Sequence, residues 1–126
     1  MKNETLNYPW LDEYLLAKVG TRKDFKEEWL AYRYRLGDKM FAMLGDDNNK
    51  RAIISLKLQP VTGAFLREQF TDIIPGYYLN KVHWNSVYLD GSVPDEVLKD
   101  MIDESHALIL ASLTKKQRSE ISEKIS

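Results

Sequence analysis

The segment from residue 29 to 58 opens with side chains that change character at nearly every step as far as residue 36. It is broken twice by turn-forming clusters, Gly37-Asp38-Lys39 and Gly45-Asp46-Asp47-Asn48-Asn49. Trp29, Ala31, Arg33 and Arg35 share one parity, and Leu30, Tyr32, Tyr34 and Leu36 share the other. A period of two belongs to a pleated strand with one buried face. Glycine, aspartate and asparagine supply the backbone freedom and local hydrogen bonds of tight turns. The pattern predicts three consecutive antiparallel strands over residues 29–36, 39–44 and 51–58, because connections this short suit only antiparallel neighbours.

Helical periodicity flanks this meander. Trp10, Leu11, Tyr14, Leu15 and Val19 predict a helix over 7–19, with Asn7 as N-cap and Gly20 ending it. Residues 21–28 are charged and are expected to form a loop or short helix. Pro60 suits the first turn of a helix reaching about residue 70, with Phe65, Leu66 and Phe70 inward. Pro75-Gly76 breaks the chain, and 77–79 and 86–89 are β-like around an 80–85 loop. After the Asp90-Gly91 turn, Ser92 and Asp95 have capping-box spacing. Val97, Leu98, Met101, Ile102, Leu108 and Ile109 then form an apolar stripe to about residue 113. Met101, Ile102, Leu108 and Ile109 are expected to be buried. Thr114 and Gln117 form a second capping box, opening a basic helix over 115–124. The order α–β–β–β–α–β–β–α–α predicts one domain over residues 1–126. Its fold class is α+β, a two-layer sandwich with helices packed on one face of an antiparallel sheet.

Composition narrows the chemistry. The absence of cysteine excludes disulfides, thiolate catalysis and Cys-based zinc sites. No apolar run approaches the roughly 18 residues of a membrane span, and the first ten residues lack the apolar core of a signal peptide. A cytoplasmic location without membrane contact is expected. The net charge of −1 argues against strong binding to phosphates over the whole surface but leaves room for a local basic patch.

Polar and aromatic residues are densest in the YYLNKVHWN segment, 77–85. His83 and Trp84 suit either base stacking and a phosphate contact, or a structural role with Trp84 plugging the core and His83 tying the loop down. Asn80 and Asn85 bracket the loop as turn formers or ligand contacts. Lys57 and Lys81 could face one anion. Arg51, with Lys39 and Lys50, could extend that patch, and Lys115, Lys116 and Arg118 form a denser cluster. No metalloprotease helix, serine elbow or glycine-rich phosphate loop is present, so neither catalytic residues nor a cofactor are expected. His106 is expected at the edge of the long helix. Asp12, Glu13, Asp100, Asp103 and Glu104 read as solvated faces rather than metal ligands.

The motifs GDKMFAML (37–44), LKLQP (56–60), PGYYLNKVHWNSVYLDGSVP (75–94) and the terminal LTKKQR resemble the MmcQ/YjbR family of small bacterial proteins. The resemblance covers about residues 8–118. It implies a compact fold described as CyaY-like or as a double-wing DNA-binding-like fold, and the family is commonly labelled DNA-binding. Two positions depart from the family pattern. FKEEWLAYRYR lacks a Pro-Phe-Gly-type turn, and Leu58-Gln59 stands where a Cys-Asp pair is common. The expected function is a non-enzymatic binding module. It would contact DNA with modest affinity through Arg51, Lys57, Asn80, Lys81, His83, Trp84, Asn85, Lys115, Lys116 and Arg118. The alternative is a protein-interaction or chaperone-like adaptor with an aromatic surface.

Overall fold

The computed structural model describes residues 5–77 and 79–125. Six strands form one antiparallel sheet: β1 Arg22–Lys26, β2 Ala31–Leu36, β3 Lys39–Asp46, β4 Ala52–Lys57, β5 Ile73–Pro75 and β6 Trp84–Tyr88. Their spatial order is β1-β2-β3-β4-β6-β5. Among the described residues four helices complete the fold: α1 Leu11–Ala17, α2 Pro60–Gln69, α3 Asp95–Ser112 and α4 Lys115–Ile125. One face of the sheet carries the core. Tyr34, Leu44, Ile54, Leu56 and Val87 point from the strands, and meet Leu11 and Leu15 of α1, Met101, Ile102 and Ile109 of α3, and Ile121 of α4. Leu66 of α2 packs against the same cluster. The protein is therefore an α+β two-layer sandwich, with the period-two pattern separating core-facing from outward-facing side chains in β2, while β4 is buried on both faces.

The meander and the long helix match the sequence expectation. The expectation for residues 21–28 does not hold, because β1 occupies most of that segment and pairs with β2 from Arg22↔Arg35 to Lys26↔Ala31. Its RKDFK sequence has one apolar residue and so no readable alternation. An edge strand needs only backbone pairing on one side, and charged side chains discourage pairing on the other. Trp29 falls in a short 3-10 turn, Glu27–Trp29, rather than in a strand.

A bulge shapes the centre of the sheet. Tyr34 pairs with Ala42 and Arg35 with Met40, so Phe41 is the extra residue. Phe41 is fully buried and meets the His106 ring edge-on at 5.1 Å. His106 is itself buried, with Nε2 2.8 Å from the Val19 carbonyl oxygen. The edge position expected for it is corrected, because it lies four residues after Ile102 and three before Ile109, on the stripe itself. Its neighbour Ser105 donates to the Phe41 carbonyl at 2.5 Å and accepts the Lys57 N–H at 2.9 Å. One hydroxyl thus ties α3 to β3 and β4. Ser105→Ala leaves a buried carbonyl and an N–H without this partner and is expected to cost about 2–3 kcal/mol. Chemical denaturation measures this, and a cost below about 0.5 kcal/mol would mean the hydroxyl link adds nothing net.

Several end details differ from expectation. α1 is shorter than predicted, and Asn7 donates its side-chain amide to the Gly91 carbonyl instead of capping it. Gly20 does turn the chain, at φ +78. α3 begins after Pro94 without a side-chain cap, since the Ser92 N–H is taken by Asp72 at 3.1 Å. The Thr114–Gln117 box forms reciprocally, at 2.8 and 3.1 Å. Phe65 is 60% exposed rather than inward, and Leu108 is half-buried. The β-like expectation over 77–79 gives way to a bend at Tyr77 and Leu79, with β5 placed earlier at Ile73–Pro75. Tyr78 lies outside the described residues.

Candidate functional site

The second face of the sheet is open on its β1–β2 side and closed over β3, β4 and β6, where Met43, Ile53, Ser55 and Ser86 are buried and the Tyr77 N–H donates to Ser86 Oγ at 3.0 Å. The register places Arg22, Asp24 and Lys26 of β1 on it, with Arg33 and Arg35 of β2, Met43 of β3, Ser55 and Lys57 of β4, and Trp84, Ser86 and Tyr88 of β6. Its strand positions therefore carry five basic side chains (Arg22, Lys26, Arg33, Arg35, Lys57) against one acidic side chain, Asp24. The protein as a whole has a net charge of −1, so this excess is local.

Asp24 organises the basic side. Arg33 donates Nε and Nη2 to its two carboxylate oxygens, each at 2.8 Å. Arg35 Nη2 approaches the same carboxylate at 2.7 Å, and Arg35 Nη1 donates to the Gly37 carbonyl at 2.9 Å. The Arg33 hydrogen bonds are the main reason the Asp24 carboxyl is held below its ordinary pKa. The sign follows. This contribution to stability is complete above the ordinary aspartate pKa of about 3.9 and is lost as pH falls through the lowered value. Two guanidiniums share one carboxylate, so the cluster keeps a positive charge at neutral pH.

An aromatic side chain borders the cluster. Trp29 folds back from the 3-10 turn and stays 50% exposed. Arg33 lies 5.9 Å and Lys26 5.6 Å from its ring centroid. Lys26 also pairs with Glu28 at 3.0 Å, which leaves the face positive even with Glu28 counted. Among the described residues Arg22 and Lys57 have no acidic partner within salt-bridge distance.

The residues singled out in the sequence are dispersed. Arg51 precedes β4 and Lys57 ends it, roughly 20 Å apart at strand rise. Arg51 is engaged, with Nη2 2.7 Å and Nε 3.1 Å from the Asp90 carboxylate and its guanidinium 3.6 Å from the Tyr88 ring centroid. Lys57 is half-buried on the open face opposite Trp84. Lys115, Lys116 and Arg118 are exposed at the start of α4, in the helical layer. Lys81 donates to the Gly76 carbonyl at 2.8 Å, which makes it a brace within its own loop. Of these cations, the register puts only Lys57 on the open face.

The 76–83 loop is built mainly from backbone bonds. Asn80 Oδ1 accepts the N–H groups of Val82 at 2.9 Å and His83 at 3.2 Å. The His83 carbonyl accepts the Leu58 N–H at 2.8 Å, while the residue itself is exposed. The structural reading of Asn80 is the one its hydrogen bonds fit. At Gly76 a Cβ would stand 2.7 Å from the Trp84 Cβ and 3.0 Å from its carbonyl oxygen, so a side chain there would push loop and strand apart. Asn85 is fully buried on the helix side, accepting from Arg67 Nη1 and donating to the His83 carbonyl at 3.3 Å. The expectation that Trp84 plugs the core is corrected. Trp84 alternates with Asn85 and Val87, and its half-buried indole lies on the open face.

The acidic residues of the helices are more engaged than a solvated face requires. Asp103 accepts the Tyr14 hydroxyl at 2.7 Å and pairs with Lys18, tying α3 to α1. Burial and that hydrogen bond push the Tyr14 phenol up to about 12. Glu104 accepts the Gln59 N–H at 2.9 Å, and Asp12 accepts from Lys23 and Tyr34 at 2.7 and 2.6 Å. Among the described residues no group of three or more His, Asp or Glu side chains is placed to hold a metal ion.

The sequence reading missed Arg22, Asp24, Lys26, Trp29, Arg33 and Arg35 as one site. The signal was the shared parity of Trp29, Arg33 and Arg35 on the face opposite the tyrosines. It could not be interpreted without β1, which brings Asp24 beside both arginines.

Comparison with known proteins places the chain. The YjbR family model matches residues 16–108. The Escherichia coli (strain K12) protein YjbR is 36% identical over 106 residues, covering 84% of this chain and 89% of its own. The Bacillus subtilis (strain 168) protein YyaQ is 27% identical over 109 residues, covering 76% and 92%. The crystal structure of the Deinococcus radiodurans protein DR2400 superimposes with a TM-score of 0.79 at 27% identity, covering 97% of this chain and 92% of that one. With the meander, the striped helix and the matched 16–108 segment in agreement, this chain belongs to the YjbR family.

Proposed function

We propose that this protein is a non-enzymatic module that binds DNA through the open face of its sheet. The supporting observation is the charge of that face, five basic strand positions against Asp24 in a chain of net charge −1. Phosphate oxygens are met by guanidinium and ammonium groups that sit on a rigid scaffold. His83 and His106 are kept apart, one exposed in a loop and the other buried against Val19, which suits binding better than acid–base work. Among the described residues no helix is long and apolar enough to cross a membrane. A cytoplasmic location is part of this proposal.

The face can neutralise about two to four phosphates, which gives a log–log salt slope near −2 to −4 on duplex-like backbones. A DNA titration at several salt concentrations measures it. Lys57→Ala is expected to reduce the slope by about one without altering sequence preference. Lys81→Ala is expected to do less, because Lys81 is committed to Gly76. Absence of binding at low salt would remove the proposal. A protein-adaptor reading draws on Val61 and Phe65, 79% and 60% exposed one turn apart on α2. Val61→Lys with Phe65→Lys should leave DNA binding unchanged if the sheet face is the site.

A further inference from the structure

The open face has a feature that a duplex phosphate contact does not use. Trp29 is held at the β1–β2 corner with half its surface exposed, beside Lys26 and Arg33. Lys26 and Arg33 border the indole, yet half of its surface is left free. Indoles and guanidinium planes do offer stacking surfaces to unpaired bases, while adjacent cations track the backbone. Duplex bases stack on one another and cannot reach such a ring.

Resting on the DNA-binding reading above, we propose that the open face takes single-stranded DNA. A base stacks on Trp29, and the flanking phosphates lie against Arg33, Arg35 and Lys26. The stacking surface and its cations occupy the β1–β2 corner, because Met43, Ile53, Ser55 and Ser86 are buried farther along the face. The polar groups needed to select a ribose hydroxyl are already used. Asp24 is taken by Arg33 and Arg35, and Ser55 and Ser86 bond each other at 2.7 Å. The face therefore gives RNA no advantage over DNA. An acidic peptide would match the charge but would leave the indole without a stacking partner.

The test is a fluorescence titration of the full chain with oligothymidylate, the matching duplex, the matching RNA and a polyglutamate peptide. Oligothymidylate is expected to quench tryptophan emission and to bind more tightly than the duplex. Trp29→Ala should weaken single-strand binding about ten- to a hundredfold and leave duplex binding unchanged, while Trp29→Phe restores most of it. Far-UV circular dichroism confirms that the exposed site tolerates both changes. Equal or tighter duplex binding, tighter RNA or polyglutamate binding, or indifference to Trp29→Ala would overturn the single-strand inference while leaving nucleic-acid or anion binding in place. No binding to any nucleic acid would remove the underlying proposal as well.

Discussion

Replacing Phe41 with alanine is expected to cost about 3–5 kcal/mol of unfolding free energy. Phe41 is the bulge residue of β3, fully buried, with its ring edge-on to His106 and its carbonyl held by Ser105. Removing the ring leaves a cavity between the sheet and α3. The bulge fixes the local strand path, so the walls cannot easily close in. His106 also loses its ring partner while its Nε2 remains tied to Val19. The loss would be a large share of the about 5–15 kcal/mol available to a domain of this kind. Phe41→Leu keeps most of the volume and is expected to cost about 1–1.5 kcal/mol. Urea denaturation of both variants measures the difference. A cost below about 1.5 kcal/mol for the alanine variant would show that the core collapses around the site.

Much of this architecture was legible in the sequence. β2 was readable from its alternation, and β3 and β4 from short apolar runs set between turns carrying Gly37 and the Asp46–Asn49 cluster. α3 was readable from its apolar stripe. β1 was not readable, because an edge strand with one apolar residue has no period to detect. The site depended on that strand. Asp24 gains meaning only when pairing sets it opposite Arg33, and the open face is identified only once every helix is placed on the other side. Trp84 shows the reverse error. Its size suggested the core, but a shift of one residue along a strand exchanges faces. Asn85, small and polar, is the buried neighbour because Arg67 and the His83 carbonyl satisfy it. His106 was misplaced for want of geometry alone, since helical spacing already put it with Ile102 and Ile109.

The balance of charge on the open face leads to expected changes of opposite sign in DNA affinity. Arg33→Gln with Arg35→Gln removes two cations and is expected to weaken DNA binding by tens of fold near 0.1 M salt, with a slope shallower by about two. Asp24→Asn removes the carboxylate that holds both guanidiniums, and is expected to tighten binding about five- to tenfold and steepen the slope by about one. The released guanidiniums gain rotational freedom, which limits the gain. Both changes lie on the solvent side of β1 and β2, away from Tyr34 and Leu36, so the core should survive them. These ion pairs are half-buried, so their loss is expected to cost about 1 kcal/mol or somewhat more, still below the stability of the domain. The pair of measurements separates two roles for the cluster. If charge density binds the phosphates, the substitutions move affinity in opposite directions. If Asp24 instead orients the arginines as a fixed fork, Asp24→Asn weakens binding as the arginine substitutions do. The bidentate Arg33 contact makes the second outcome physically accessible. The sign of the Asp24→Asn effect decides between them, with Arg22 and Lys57 as an unchanged background because neither is paired with Asp24.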